Sequence, residues 1–316
     1  MNKSVKRAFI LSCAFLCSCG GGESDNGQVI SPPSPTPNPA PTPTPSPTPT
    51  PAPSYPIAFD PSQDVSFAAL AVEHVLQDEK FDLGETAFNR GTLDTFIKYT
   101  ASTKSLQASF DGDFTEFNAS EMNIDRSDLI NYSRSLSYGY QRLGVGRPRP
   151  DILYINEAGQ SSSIQDVSAP SQVDTKIVER IYLGGSATTL PDIPRSGTSN
   201  YSSNLAISQR GPQNNTIVAS NFYVKIDHQT GEITATISAY DALQPVTYLT
   251  LNLTGTISSS GTSISGDVTS IDGKYSGQFI GRLFGPKGIE LGLLFKMTHK
   301  DSGARLIGHL IGRTGQ

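Results

Sequence analysis

The chain has no tryptophan, and its 316 residues include three cysteines, three methionines and four histidines. Cys13, Cys17 and Cys19 all lie at the N-terminal end. The remainder therefore has no disulfide and no thiol chemistry. His74, His228, His299 and His309 are scattered. None forms an H-x-x-x-H or H-E-x-x-H pair, the spacing that sets two imidazoles on one helix face. His228 and His299 fall in predicted turns, where solvated side chains are expected. No G-x-S-x-G elbow, phosphate loop or dinucleotide fingerprint occurs. With no nucleophile–base pair to name, the chain reads as a non-enzyme with no catalytic residue, cofactor or metal site. Its formal net charge of −5 argues against a nucleic-acid partner.

An apolar run long enough to cross a bilayer is also missing from the start of the chain. Residues 8–16 are apolar but too short to span. They follow Lys3, Lys6 and Arg7 and precede Leu16-Cys17-Ser18-Cys19. This reads as a bacterial lipoprotein signal peptide over residues 1–18, with Cys19 as the lipidated (palmitate-bearing) residue. Membrane lipid is then the first partner, since two or more acyl chains give stable anchoring at about 0.8 kcal/mol per buried CH₂. Gly20, in place of the Asp that retains lipoproteins at the inner membrane of enteric bacteria, favours the outer membrane.

Residues 19–54 hold most of the 22 prolines, at nearly every second position from Pro32 to Pro53. So many missing backbone donors exclude helix and central strand. The segment reads as a disordered, Pro-rich, polyproline-type tether, with a reach of roughly 70 Å at about 3.1 Å per residue.

Residues 55–190 read as a small, irregular, β-rich subdomain. Phe67, Leu70, Ala71, His74 and Val75 fit a short helical stripe. Residues 95–100 and 106–110 look like a hairpin. Further strand-like runs cover 129–134, 136–141, 151–156 and 177–183.

From residue 191 the pattern becomes regular. Strand-like runs at 197–208, 217–227, 232–239, 246–257, 262–271, 274–284, 289–298 and 305–312 suggest an eight-stranded antiparallel up-and-down β-barrel, which removes sheet edges. The expected fold is all-β. The last three runs alternate strictly. Tyr275, Gly277, Phe279, Gly281 and Leu283 share one face, as do Leu291, Leu293, Phe295 and Met297, and Leu306, Gly308, Leu310 and Gly312. Large/small alternation suits a narrow, filled barrel interior. Gly285-Pro286-Lys287-Gly288 reads as a type I turn, and 299–303 as a longer hairpin loop.

The stretch Gly281-Arg282-Leu283-Phe284-Gly285-Pro286-Lys287-Gly288-Ile289-Glu290-Leu291-Gly292 resembles the G-x-FFGP-x-G-x-E-x-GG signature of transferrin-binding protein B-like surface lipoproteins. Residues 190–201 resemble that family's P-x-x-G-T-x-x-Y entry into the barrel. Leu283 and Leu293 replace a Phe and a Gly of the pattern. The resemblance implies that 55–190 form a "handle" and 191–316 the barrel, in one lobe where the named transferrin receptors have two. It also implies a surface-exposed lipoprotein that binds a protein or an iron- or haem-related carrier. An outer-membrane receptor or a lipoprotein exporter is a further implied partner. The alternative is a structural envelope lipoprotein without a soluble ligand.

With the glycine-bearing faces turned inward, Ile280, Phe284, Leu294, Ile307 and Ile311 point outward, with His309 among them. This apolar exterior patch is expected to be covered by the handle or by a partner.

Overall fold

The computed structural model describes residues 54–57, 59–76, 85–89, 94–166, 174–209, 215–241 and 244–315. Cys19 and the Pro-rich tether lie outside these residues. Among the described residues no helix is long and apolar enough to cross a membrane.

Ten strands precede the barrel. They are β1 (Val65–Leu76), β2 (Glu85–Asn89), β3 (Phe96–Thr100), β4 (Ser105–Phe110), β5 (Asp113–Phe117), β6 (Met122–Asp125), β7 (Leu129–Leu136), β8 (Gly139–Gly146), β9 (Ile155–Asp166) and β10 (Asp174–Gly185). They form one antiparallel sheet in the order β5-β4-β3-β1-β10-β9-β8-β7-β6, with β2 paired to β1. The sheet is nearly closed. Its end strands β5 and β6 are consecutive, joined by a 3₁₀ turn at Ala119–Glu121 that Asn118 and Glu121 close with a capping box. The two ends are tied by Arg134, which lies 4.5 Å over the Phe117 ring and pairs with Glu121 at 3.3 Å. The Tyr132 hydroxyl donates to the Lys104 carbonyl, and Lys104 pairs with Asp125 at 2.7 Å.

This regular sheet replaces the irregular subdomain expected from the sequence. The expected helical stripe at 67–75 is strand β1. The reason is two-sided burial: Phe67, Ala69 and Ala71 pack inside the sheet, while Leu70 and Val72 pack on its other face. A strand buried on both faces loses its alternation and reads as a continuous apolar run. The run expected at 136–141 straddles the β7–β8 turn, and β9 takes up only the end of the run expected at 151–156. The hairpin expected at 95–110 is β3–β4.

The remaining strands are β11 (Thr198–Gln209), β12 (Asn215–Asp227), β13 (Glu232–Asp241), β14 (Gln244–Ile257), β15 (Ile264–Ser270), β16 (Tyr275–Phe284), β17 (Glu290–His299) and β18 (Arg305–Thr314). They pair antiparallel in sequence order, and β18 returns to β11 to close the barrel. All eight expected strands are present. Tyr275, Phe279, Leu283, Leu291, Leu293, Phe295, Met297, Leu306 and Leu310 point inward into one packed core.

The large/small alternation works across strands. Gly308 faces Phe295 in the β17–β18 register. A Cβ on Gly308 would sit 2.3 Å from the Phe295 ring and 2.6 Å from the Ala206 carbonyl. The 285–288 turn is not type I. Lys287, at its third position, has φ 54°, where type I needs a negative φ.

Gly308→Ala should therefore overpack the barrel. The expected cost is about 1–3 kcal/mol. It would be read as a lower urea midpoint with an unchanged slope.

Candidate functional site

The outward-facing patch on β16–β18 lies against the ten-stranded sheet. Ile280, Phe284, Leu294, Ile307 and Ile311 are buried in one cluster with Leu70, Val72, Ile152, Ile155 and Leu183. Burying such side chains contributes about 1.5–3 kcal/mol each. His309 sits at the edge of this contact, its Nε2 3.5 Å from a Glu157 oxygen. The patch is thus an internal surface of one compact unit that runs from Pro51 to Gln316.

The close approach depends on two glycines of the quoted stretch. A Cβ on Gly292 would meet Phe284, Leu183 and Ile155 at 3.1–3.6 Å. A Cβ on Gly285 would strike the Tyr154 ring at 2.4 Å, and Gly285 also has φ 72°. No L side chain suits that position. Backbone bonds hold the turn in place: the Gly285 amide donates to the Ser186 carbonyl, and the Thr188 amide to the Leu283 carbonyl. The Tyr201 hydroxyl donates to the Gly288 carbonyl at 2.7 Å.

Glu290 is the residue that sequence reasoning passed over. It stands on the outward face of β17 and is fully buried. Its carboxylate accepts from the Leu153 amide at 2.6 Å and the Tyr154 amide at 2.8 Å. Arg313 lies 3.6 Å away and donates to the Asp151 carbonyl. One barrel carboxylate thus holds the chain entering β9. The available signal was a lone acid on an apolar strand within the quoted stretch, but its partner amides carry no sequence mark.

Burial raises the Glu290 carboxyl above its ordinary 4.5, against the opposing pull of the Leu153, Tyr154 and Ile155 amides and Arg313. The native state then binds more protons than the unfolded state between the two values. This group's contribution to stability therefore falls as pH rises through that window.

The two turn histidines are not simply solvated. His228 is half-buried, and its Nε2 lies 2.8 Å from the Ser199 hydroxyl. Burial lowers its pKa. His299 is half-buried edge-on to Tyr275, and its Nδ1 accepts from the Asp301 and Ser302 amides. His299 closes its own turn, whereas the His228 ring reaches across to β11 and leaves the turn amides of Gln229 and Thr230 to Asp227. Among the described residues no group of three or more His, Cys, Asp or Glu is placed to hold a metal ion.

No family model and no curated protein matches the chain. Solved structures do. A mutant of the vaccine antigen Transferrin Binding Protein B from Haemophilus parasuis is 14% identical, over 78% of this chain and 45% of that one, with a TM-score of 0.41. Intact Ap-TbpB, with N and C lobes, is 12% identical over 78% and 46%, at 0.45. The isotype 1 protein from serogroup B Neisseria meningitidis is 11% identical over 78% and 44%, at 0.39. The chain spans less than half the length of each. The likeness is one of fold.

Two outcomes follow for the sheet–barrel contact. Glu290→Gln should cost about 1–3 kcal/mol, because one acceptor oxygen becomes an NH₂ facing a backbone amide. Denaturant melts should show a larger cost near about pH 4 than near about pH 7. Ile307→Asp should cost about 3–5 kcal/mol or abolish folding, measured by thermal unfolding.

Proposed function

We propose that this chain is a lipid-anchored protein of the bacterial outer membrane, displayed on the surface as a binding module for a protein or an iron- or haem-related carrier. Cys19 is the anchor, residues 19–54 the tether, residues 55–190 the handle, and residues 191–316 the barrel. An outer-membrane receptor or a lipoprotein exporter is a natural companion. Transferrin itself is not part of the proposal.

One observation carries the reading. The barrel interior is packed with apolar side chains, so a ligand carried inside it has no room. Contacts must then be made from the outside of the sheet and barrel. The patch on β16–β18 supports this reading as the handle-packing surface rather than the partner surface. Large apolar side chains do reach solvent elsewhere, as at Tyr138, Ile164, Tyr223 and Ile271, which are 43–64% exposed.

Protease treatment of intact cells should degrade the protein, and immobilised residues 51–316 should retain a specific extracellular partner. Full protection on intact cells would rule out surface display. Surface display without any retained partner would favour a structural envelope lipoprotein instead.

A further inference from the structure

The outer face of the ten-stranded sheet bears a second feature, bordering the apolar contact. Across β7, β8, β9 and β10, Leu129, Gly146, Glu157 and Leu183 lie in one row of the register. Asn131, Gly144, Gly159 and Ile181 form the next row, and Ser133, Arg142, Ser161 and Glu179 the third. Three glycines thus meet in a block between β8 and β9; Gly146 is closed over by the Asp128 carbonyl and Gly144 by the Asn131 side chain, while Gly159 faces open space. This floor lies in a cleft of about 600 Å³, with Ser208 and Ile307 of the barrel on its far wall. That volume is within the range of small-molecule sites.

The polar groups around the floor are unevenly engaged. Glu179 accepts from the Ser208 hydroxyl at 3.0 Å, and Glu157 faces His309. Arg126 pairs with Asp128 at 3.1 Å. Arg142 and Arg147 differ. Among the described residues neither guanidinium meets a carboxylate, and Arg142 merely lies 5.0 Å over the Tyr140 ring. Among the described residues the Arg147 Nε and the Asn131 Oδ1 are buried without a hydrogen-bond partner. A buried N–H left unmade is costly, and guanidinium forks match carboxylate and phosphate oxygens. Arg147 also acts on Asp60, whose carboxyl it helps to hold below its ordinary range, so Arg142 is the guanidinium with most to gain from a ligand oxyanion.

We propose that this cleft binds a small oxyanion-bearing solute, a carboxylate or phosphate compound. Arg142 and Arg147 hold the anion, and the open floor at Gly159 admits the ligand's body. This site is independent of the protein-partner reading and can stand or fall without it.

Gly159 provides a clean test. A Cβ there meets nothing within 4 Å, so a larger side chain enters the cleft without disturbing the fold. Calorimetric titration of the full chain with citrate and with inorganic phosphate should show saturable binding of at least one of them. Which of the two binds separates carboxylate from phosphate chemistry. Gly159→Leu, by filling the cleft, and the double variant Arg142→Gln/Arg147→Gln, by removing charged hydrogen bonds, should each weaken it at least about tenfold. Their ligand-free melting temperatures should match the parent's. Absence of saturable binding of both anions up to about 10 mM overturns the proposal. So does undiminished binding in either variant that folds. Should the arginine variant melt early, Gly159→Leu alone decides.

Discussion

The sheet and the barrel meet because a buried carboxylate has found backbone donors. Glu290 sits on a barrel strand whose neighbours on the same face are Gly292 and Leu294, and it is sealed from water. An ionised carboxylate in such a place is tolerable only when its oxygens are satisfied. The Leu153 and Tyr154 amides satisfy them, and they belong to the sheet's chain. Gly285 and Gly292 keep that chain close enough to reach. The apolar cluster of Ile280, Phe284, Leu294, Ile307 and Ile311 then closes around it. Remove the acid and the donors are orphaned; remove the glycines and the donors move out of range.

The barrel makes this contact possible by being self-sufficient. Its ring of strands leaves no edge, and its interior is filled by Phe295 over Gly308 and similar pairings. Strands filled on the inside can give over their outer face to apolar residues without destabilising the core. The ten-stranded sheet mirrors this. Its strand β1 is apolar on both faces, one for its own core and one for the barrel.

Much of the barrel was legible in the sequence. Period-two alternation with turn residues between runs located all eight strands; even in β16–β18, which are buried on both faces, glycines alternating with large residues on the inner face kept the period visible. The sheet was less legible. In β1 the second buried face erased the alternation and imitated a helix. At β7–β8 the turn around Tyr138 has no glycine–asparagine mark, so the run at 136–141 crossed it. The turn at Lys287 took a left-handed residue that its Pro-x-Gly spelling did not announce.

The sequence alone determined that the chain is built of strands, that eight of them alternate as a barrel requires, and that Ile280, Phe284, Leu294, Ile307 and Ile311 form an outward apolar set. These are local properties, carried by spacing along one strand. Only the tertiary structure decided what covers that set, because the covering residues, Leu70, Val72, Ile155 and Leu183, lie far away in the chain. It alone gave Glu290 its task, since the amides it binds are chemically identical to every other amide. It alone brought Gly144, Gly146 and Gly159 together beside Arg142 and Arg147, because strand register, not sequence distance, makes them neighbours.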